Sequence, residues 1–325
     1  MTTIRKNWLR FAAIPLICLL LLPLFTACSS PTVLTVGEEK VSYDLLRYFV
    51  MNYRAESGHT AEEFAADETL QKELTEFVES RLREIMAYQM LAEQYDIDIT
   101  RDEQSELEAS LEDAKAEYES EEAFAEALKA AYMTEDVYME LQKLQLLATH
   151  LYNYLTNEHS DQLDCSEDTV RKDVEAGNFF AAEYLYIYFS AKDKEEKLEF
   201  ANTLHGRLLA GETMTALDDE FSATYGLSME RVNLPAFTYT QQDEEFEKAV
   251  LSLEIGGYSA PVVRGDGVFI VTRKAVDSTY VDENIDAVIE CYKEREFTRL
   301  VQDASAKMEI SFKSKYESLN YWEME

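Results

Sequence analysis

The sequence predicts an α+β protein, and two observations support this. Across residues 74–155, apolar side chains recur every three or four positions, which is the spacing of one face of an α-helix. From residue 180 onward, short runs rich in tyrosine, phenylalanine and aliphatic residues alternate with glycine turns and shorter helical stretches. A helical block followed by a mixed block of strands and helices is typical of α+β proteins. The 325 residues are enough for about two domains.

The chain begins with the features of a secretion signal. A basic segment, residues 1–10, precedes an apolar run, residues 11–25, that is shorter than the ~20 residues of a membrane-spanning helix. The following Thr26-Ala27-Cys28 resembles a bacterial lipoprotein box. We therefore expect residues 1–27 to be a lipoprotein signal peptide, and Cys28 to carry a lipid anchor on an extracytoplasmic protein. Ordinary secretory cleavage, with Cys28 an incidental thiol, is the alternative.

The formal net charge of −34 excludes one large class of partners. A surface of this sign repels polyanions, so we predict no binding to nucleic acid. It favours basic or unfolded cationic polypeptides instead, although charge alone identifies no partner.

The residues that usually hold metals or act as nucleophiles are sparse. The histidines are scattered without the spacing of metal ligands, at His59, His150, His159 and His205. Outside the signal peptide and the lipid site, the cysteines are Cys165 and Cys291, which form either a disulfide or two separate thiols. Two acidic runs, at 218–220 and 243–245, lack the alternating ligands of a calcium loop and are expected to be solvated faces. We predict no metal, no cofactor and no catalytic nucleophile.

The elements of the first half follow from local signals. Residues 33–42 predict a pair of short strands around Gly37, and Ser42 is a suitable N-cap for a helix through 45–50. Three longer helices follow, with their apolar stripes starting at Leu74, Leu107 and Val137. These stripes are either the core of a helical bundle or the walls of a cleft that binds other polypeptides.

The second half predicts a different order of elements. A helix over 167–175 ends at Gly177. The segments after it are a strand at 182–189, helices at 195–209, 214–221 and 245–253, and a hairpin of 261–264 with 268–273. This order reads β-α-α-α-β-β. A helix over 281–308 and a strand-like alternation at Ile310 and Phe312 complete the chain.

A set of spaced motifs in this second half resembles a known family. Phe237, Phe246, the run Ile255-Gly256-Gly257-Tyr258 and the run 267–271 have the order and spacing of the second half of a parvulin-type peptidyl-prolyl isomerase domain. The strand-turn-helix opening resembles extracytoplasmic foldase-chaperone lipoproteins that carry such domains.

That resemblance implies a division of the chain into domains. It implies a discontinuous, mostly helical chaperone domain formed by residues 28–179 and 277–325. A parvulin-like α+β domain, residues 180–276, would be inserted between those two segments.

The resemblance also implies a proline-binding pocket with an altered chemistry. Its candidate residues are Tyr184, Thr224, Leu234, Phe237, Gln242, Phe246 and Phe269. Tyr184 and Phe269 stand where the family carries two histidines, and Gln242 stands where a methionine is usual. Since phenylalanine offers no hydrogen bond, no residue is predicted to be catalytic. Phe237, Phe246 and Phe269 are equally compatible with an ordinary aromatic core.

Three functions follow from these expectations. The first is a membrane-anchored foldase or chaperone that binds unfolded or secreted polypeptides, with weak or no isomerase activity. The second is an active prolyl isomerase, and the third is a structural surface lipoprotein that reuses the scaffold.

Overall fold

The computed structural model describes residues 30–157, 162–225 and 229–324, with side chains described throughout except at 222–225. Among these residues, no helix has the length and apolar character needed to span a membrane. The predicted signal peptide and Cys28 lie outside the described residues, so both stay predictions.

The order of helices and strands confirms the predicted α+β class. The strands are β1 (Thr32–Val36), β2 (Glu39–Ser42), β3 (Phe180–Tyr188), β4 (Met229–Phe237), β5 (Val262–Arg264), β6 (Gly267–Lys274) and β7 (Ile310–Phe312). The helices of the first half are α1 (Tyr43–Ser57), α2 (Ala61–Ala66), α3 (Glu68–Gln94), α4 (Arg101–Ala116), α5 (Glu121–Ala130), α6 (Glu135–Thr156) and α7 (Glu167–Glu175). Those of the second half are α8 (Lys194–Leu209), α9 (Met214–Tyr225), α10 (Glu244–Leu251), α11 (Ser278–Glu283) and α12 (Ile285–Ser305).

A small antiparallel sheet brings distant parts of the chain together. Its strand order is β2-β1-β7, so β1 pairs with β2 on one side and with β7 on the other. Val36 lies opposite Glu39 in one pair and opposite Ile310 in the other. The predicted strand at Ile310 and Phe312 is confirmed, and it pairs with β1 near the start of the described residues.

Helix α3 is at the centre of the larger hydrophobic core. It begins where the Asp67 carboxylate accepts a hydrogen bond from the Thr69 amide at 2.8 Å, which is an N-cap. Leu74, Val78 and Leu82 on its apolar face are fully buried. They share one core cluster with apolar residues of α1, α6 and the second half of α12, as the periodicity predicts.

The second sheet is antiparallel, with strand order β4-β3-β6-β5. Alternation along β3 divides its side chains between two faces. Leu185 and Ile187 pack against α8 and α9. Ala182 and Tyr184 lie on the opposite face, in a cluster with residues of α10.

The predicted order β-α-α-α-β-β is wrong in one element, because it omits β4. This strand pairs with β3 from Phe237 opposite Phe180 to Met229 opposite Ile187. It is an edge strand whose sequence includes Pro235, which donates no backbone hydrogen bond and is tolerated at edges. Its polar residues interrupt the apolar–polar alternation that is typical of a strand. Its extended conformation therefore depends on pairing with β3.

Other differences concern helices. The short helices α2 and α5 carry weak sequence signals and were not predicted. The predicted single helix over 281–308 is two helices, α11 and α12, which meet at Asn284. Asn284 separates them because its backbone conformation (φ −129°, ψ 33°) is not helical, although its N–H still donates to the Tyr280 carbonyl. The predicted end of α7 is confirmed, since Gly177 has φ +83°.

A buried arginine joins three parts of the fold. Arg295 on α12 is 11% exposed and lies 2.7 Å from Asp173 of α7. Its guanidinium also donates to the Thr238 hydroxyl at 3.0 Å, and Thr238 in turn donates to the Asn178 carbonyl. Burial lowers the pKa of Arg295, but the hydrogen bonds to Asp173 and Glu296 outweigh it and raise the pKa overall. This network fixes the end of β4 against α7 and α12.

Candidate functional site

The aromatic residues predicted to form the proline-binding pocket come from four elements and meet on one face of the second sheet. The ring centres of Tyr184 and Phe246 are 5.1 Å apart, and those of Phe246 and Phe269 are 5.4 Å apart. Phe237 lies 6.2 Å from Phe246, and Leu234 packs at the edge of the same cluster. The structure therefore brings these five residues together.

Local interactions explain how α10 places Phe246 over the sheet. Asp243 caps the helix, because its Oδ1 accepts a hydrogen bond from the Phe246 amide at 2.9 Å. Its Oδ2 lies 2.8 Å from the guanidinium of Arg264 on β5. The cap and the ion pair together hold the first turn of α10 against the neighbouring hairpin.

The three phenylalanine rings of this cluster are buried, whereas Tyr184 is partly exposed. Phe269 is 0% exposed, Phe246 is 1% exposed and Phe237 is 3% exposed. Rings in mutual contact leave little room between them for a bound proline ring. The arrangement is that of an aromatic core beneath α10.

The two remaining pocket candidates lie outside this cluster or outside what is described. Gln242 is in the turn before α10, where its backbone N–H donates to the Glu247 carboxylate at 3.1 Å. Thr224 is in α9, and its side chain lies outside the described part of the structure.

The polar groups beside the aromatic cluster are tyrosines of β3 and charged residues of the β5–β6 hairpin. Burial, followed by the nearby Glu230 carboxylate, raises the pKa of Tyr184, so its hydroxyl stays protonated at neutral pH. Burial and a hydrogen bond to Asp266 raise the pKa of Tyr186 to about 12. Tyr184 is a hydrogen-bond donor here and not a base, and Phe269 offers no polar atom.

The Arg-Gly-Asp sequence of this hairpin is engaged within the protein. The Tyr186 hydroxyl lies 3.0 Å from the Arg264 carbonyl and 2.9 Å from the Asp266 carboxylate. Gly265 has φ +52°, as expected in a tight turn. A Cβ at Gly267 would collide with the ring of Tyr186. These residues therefore serve the hairpin turn.

An open cleft lies between α3, α4 and α6, away from the aromatic cluster. Its volume is about 1110 Å³, just above the ~300–1,000 Å³ that is usual for small-molecule pockets. Its apolar lining consists of Ala92, Ile97, Ile99, Met139, Leu144 and Leu147. Of these, Ile97, Ile99, Met139 and Leu147 are partly exposed to solvent.

Helix α4 covers this cleft without sealing it. None of its residues is buried, and its apolar positions Leu107 and Leu111 are both partly exposed. Polar contacts attach it to α6: Glu103 lies 2.9 Å from the His150 ring, and Lys115 lies 2.8 Å from Glu135. Because none of its residues is fully buried, α4 has little apolar burial to keep it in place.

The predicted apolar stripe of α6 includes one residue that lines this cleft, Leu144, but not Met139 or Leu147. The core stripe of α6 includes Val137, Leu144 and Leu151, and the helix carries further apolar residues outside that stripe. Met139 and Leu147 are two of these, and they face the cleft. In the sequence, the cleft is indicated by an apolar stripe on α6 that is wider than packing against a single core requires.

The residues considered for metals and disulfides have other roles. Cys165 and Cys291 are both free thiols whose pKa values are raised by burial. In the acidic runs, Asp218 pairs with Arg231 and Glu220 pairs with Arg207. Within the described residues, no group of three or more histidine, cysteine or carboxylate side chains is arranged to hold a metal ion. His159 lies outside those residues.

Comparisons with known proteins found solved structures that are similar to this chain. No family model matches the chain, and no curated protein matches it. A peptidylprolyl isomerase, PrsA, from Bacillus anthracis is 18% identical, with 70% of this chain and 96% of that one covered and a TM-score of 0.32. The foldase PrsA of Streptococcus pneumoniae is 16% identical, with 76% and 85% covered and a TM-score of 0.34.

A third match is a structure reported for PEB4 and Cj1289, two SurA-like chaperones of Campylobacter jejuni. It is 14% identical, with 87% of this chain and 99% of that one covered and a TM-score of 0.28. The solved structures to which this chain is similar are therefore peptidylprolyl isomerases, foldases and SurA-like chaperones, at low identity and low TM-score.

Proposed function

We propose that this protein is a membrane-anchored extracytoplasmic foldase or chaperone that binds unfolded or secreted polypeptides and has weak or no prolyl isomerase activity. The observation that carries the proposal is the open cleft between α3, α4 and α6, where apolar side chains stay partly exposed. Exposed apolar surface with a polar rim is typical of a binding site.

The cleft is large and open enough for a polypeptide segment. Its volume is about 1110 Å³, and α4 leaves it open to solvent. The net charge of −34 repels neighbouring copies of the protein and so keeps a complex with an aggregation-prone client in solution.

The aromatic cluster supports the second half of the proposal, the weak or absent isomerase activity. Isomerisation of a prolyl bond requires a site that favours the twisted amide over the planar one. Phe269 is fully buried and carries no hydrogen-bonding group. Of the two residues at the family's histidine positions, Tyr184 is the one that has a polar group to contact the amide.

We also propose that residues 180–276 form an inserted domain, and that 28–179 and 277–325 fold together. Two contacts support this division: β7 pairs with β1, and the second half of α12 shares a core cluster with α3.

The wild-type protein, with residues 1–27 removed, is expected to suppress the aggregation of an unfolded substrate without accelerating prolyl isomerisation. Light scattering of the substrate measures the first activity, and a protease-coupled assay on a proline tetrapeptide measures the second. Leu147→Gln should weaken suppression, because it places a polar amide on the apolar lining of the cleft. Ile255→Gln, at a residue that is 66% exposed and does not line the cleft, is the matched control.

Two outcomes would contradict this proposal. An isomerisation rate equal to that of a parvulin that carries both histidines would support the isomerase alternative. Equal suppression by the Leu147→Gln and Ile255→Gln variants would mean that the cleft is not where clients bind.

The membrane attachment is tested separately at Cys28. The acyl chains on this residue, and not the apolar run before it, are expected to hold the mature protein at the membrane. Cys28→Ser should therefore abolish labelling by a fatty-acid analogue and release the protein or leave its signal uncleaved. Labelling that persists in the variant would refute Cys28 as the lipid site, and a wild-type protein without labelling would leave ordinary secretory cleavage as the explanation.

A further inference from the structure

The cleft between α3, α4 and α6 carries an uneven set of charges. The acidic side chains on its lining are Glu93, Asp96, Asp98, Asp136 and Glu140. Arg101 and Lys143 offset only part of this charge. The lining is therefore negative overall around an apolar floor.

Three of these carboxylates lack the close ion pairs that many others on the protein form. Among the described residues, no ion pair involves Glu93, Asp136 or Glu140. The neighbouring Glu135 and Glu112, by contrast, both pair with Lys115. The cleft thus keeps negative charges that no cation of the described part of the chain neutralises within ion-pair distance, and Glu140 interacts with Lys143 without forming a close pair.

Glu140 lies deepest among these groups. Burial, followed by the charge of Asp136, raises its pKa, while Lys143 acts in the opposite direction. A carboxylate desolvated beside another carboxylate gains more from an incoming cation than a fully hydrated one does.

We propose that this cleft selects polypeptide segments in which lysine or arginine side chains alternate with apolar ones. This inference rests on the proposed chaperone function and names the class of client. The apolar side chains would lie on the floor near Met139 and Leu147, and the cationic groups would reach Glu93 and Asp136 at the rim and the deeper Glu140. Long basic side chains suit this arrangement, because an apolar stem ends in a charged head.

The chemistry of the lining argues against other occupants. A metal ion requires converging ligands, and no such group of three occurs among the described residues. A polyanion would face the repulsion of the whole surface. A purely apolar segment would fill the floor but leave the rim carboxylates unpaired.

The test uses three labelled peptides of equal length that share the same apolar residues. Their polar positions carry lysine, glutamine or glutamate, and fluorescence anisotropy measures their binding to the full mature chain. The lysine peptide should bind tightest, and its advantage should shrink between about 0.1 M and about 1 M salt, as the Debye length falls from ~10 Å to ~3 Å.

A variant without three of the cleft carboxylates tests whether these groups cause the preference for the lysine peptide. The triple variant Glu93→Gln, Asp136→Asn, Glu140→Gln should bind the lysine peptide about tenfold more weakly and leave binding of the glutamine peptide unchanged. The control triple variant Glu195→Gln, Glu196→Gln, Asp219→Asn removes the same charge from exposed positions on α8 and α9. It should bind the lysine peptide as the wild type does. Circular dichroism checks that both variants are folded.

The outcomes separate this inference from the proposed function. Equal weakening by the two triple variants, or equal binding of the three peptides, would overturn the charge selection while the chaperone function stands. Failure of all three peptides to bind, together with no suppression of aggregation, would overturn both.

Discussion

Arg295→Met is expected to lower the free energy of unfolding by about 3–5 kcal/mol, the usual cost of removing one partner of a buried ion pair. Asp173, at 17% side-chain exposure, would be left without its cation at the meeting point of α7, α12 and the end of β4. Methionine retains much of the aliphatic stem, so the charge and its hydrogen bonds are the main loss. Urea denaturation of the mature chain measures the change.

Arg299→Met is the matched control, because Arg299 lies one turn further along α12 and contacts the same Glu296. Its side chain is 61% exposed, so the substitution should cost no more than about 1 kcal/mol. Adding Asp173→Leu to Arg295→Met should recover part of the loss, since no uncompensated carboxylate then remains. Equal losses for the Arg295 and Arg299 variants would show that burial does not set the strength of this pair.

Phe246→Ala is expected to lower the free energy of unfolding by about 3–5 kcal/mol. The ring is 1% exposed and contacts Tyr184, Phe237 and Phe269, so its removal leaves a cavity beneath α10. Thermal and urea unfolding measure the loss. Ile255→Ala, at a side chain that is 66% exposed in the same part of the chain, should change stability by less than about 0.5 kcal/mol.

The same substitution distinguishes an aromatic core from an open pocket. An open pocket has a ring that contacts solvent, and its removal would cost little stability while weakening the binding of proline peptides. A small loss for Phe246→Ala would therefore contradict the closed arrangement. Suppression of aggregation should persist below the melting temperature of the variant, because the cleft lies elsewhere.

Local sequence signals predicted most of the helices. The stripes on α3 and α6, the Ser42 cap of α1 and the end of α7 at Gly177 depend on neighbours within a few residues, so they are visible without tertiary structure. The same holds for the β5–β6 hairpin, whose glycine turn is specified locally.

Local sequence signals did not predict strand β4. Its residues alternate poorly and include a proline, and its extended conformation comes from hydrogen bonding to β3. The break at Asn284 depends on a non-helical backbone conformation at that residue (φ −129°, ψ 33°), which a helical pattern of apolar residues does not reveal. Neither feature is specified by the local pattern of apolar residues.

By itself, the sequence determined which side chains are apolar or charged and which face of each helix or strand they share. Only the tertiary structure decided whether those side chains are covered. Phe246 and Phe269 are closed in because α10 packs across β6, whereas Met139 and Leu147 stay accessible because α4 lies over α6 without sealing it. The physical reason is that periodicity is a local property, while burial depends on a partner that is distant in the chain.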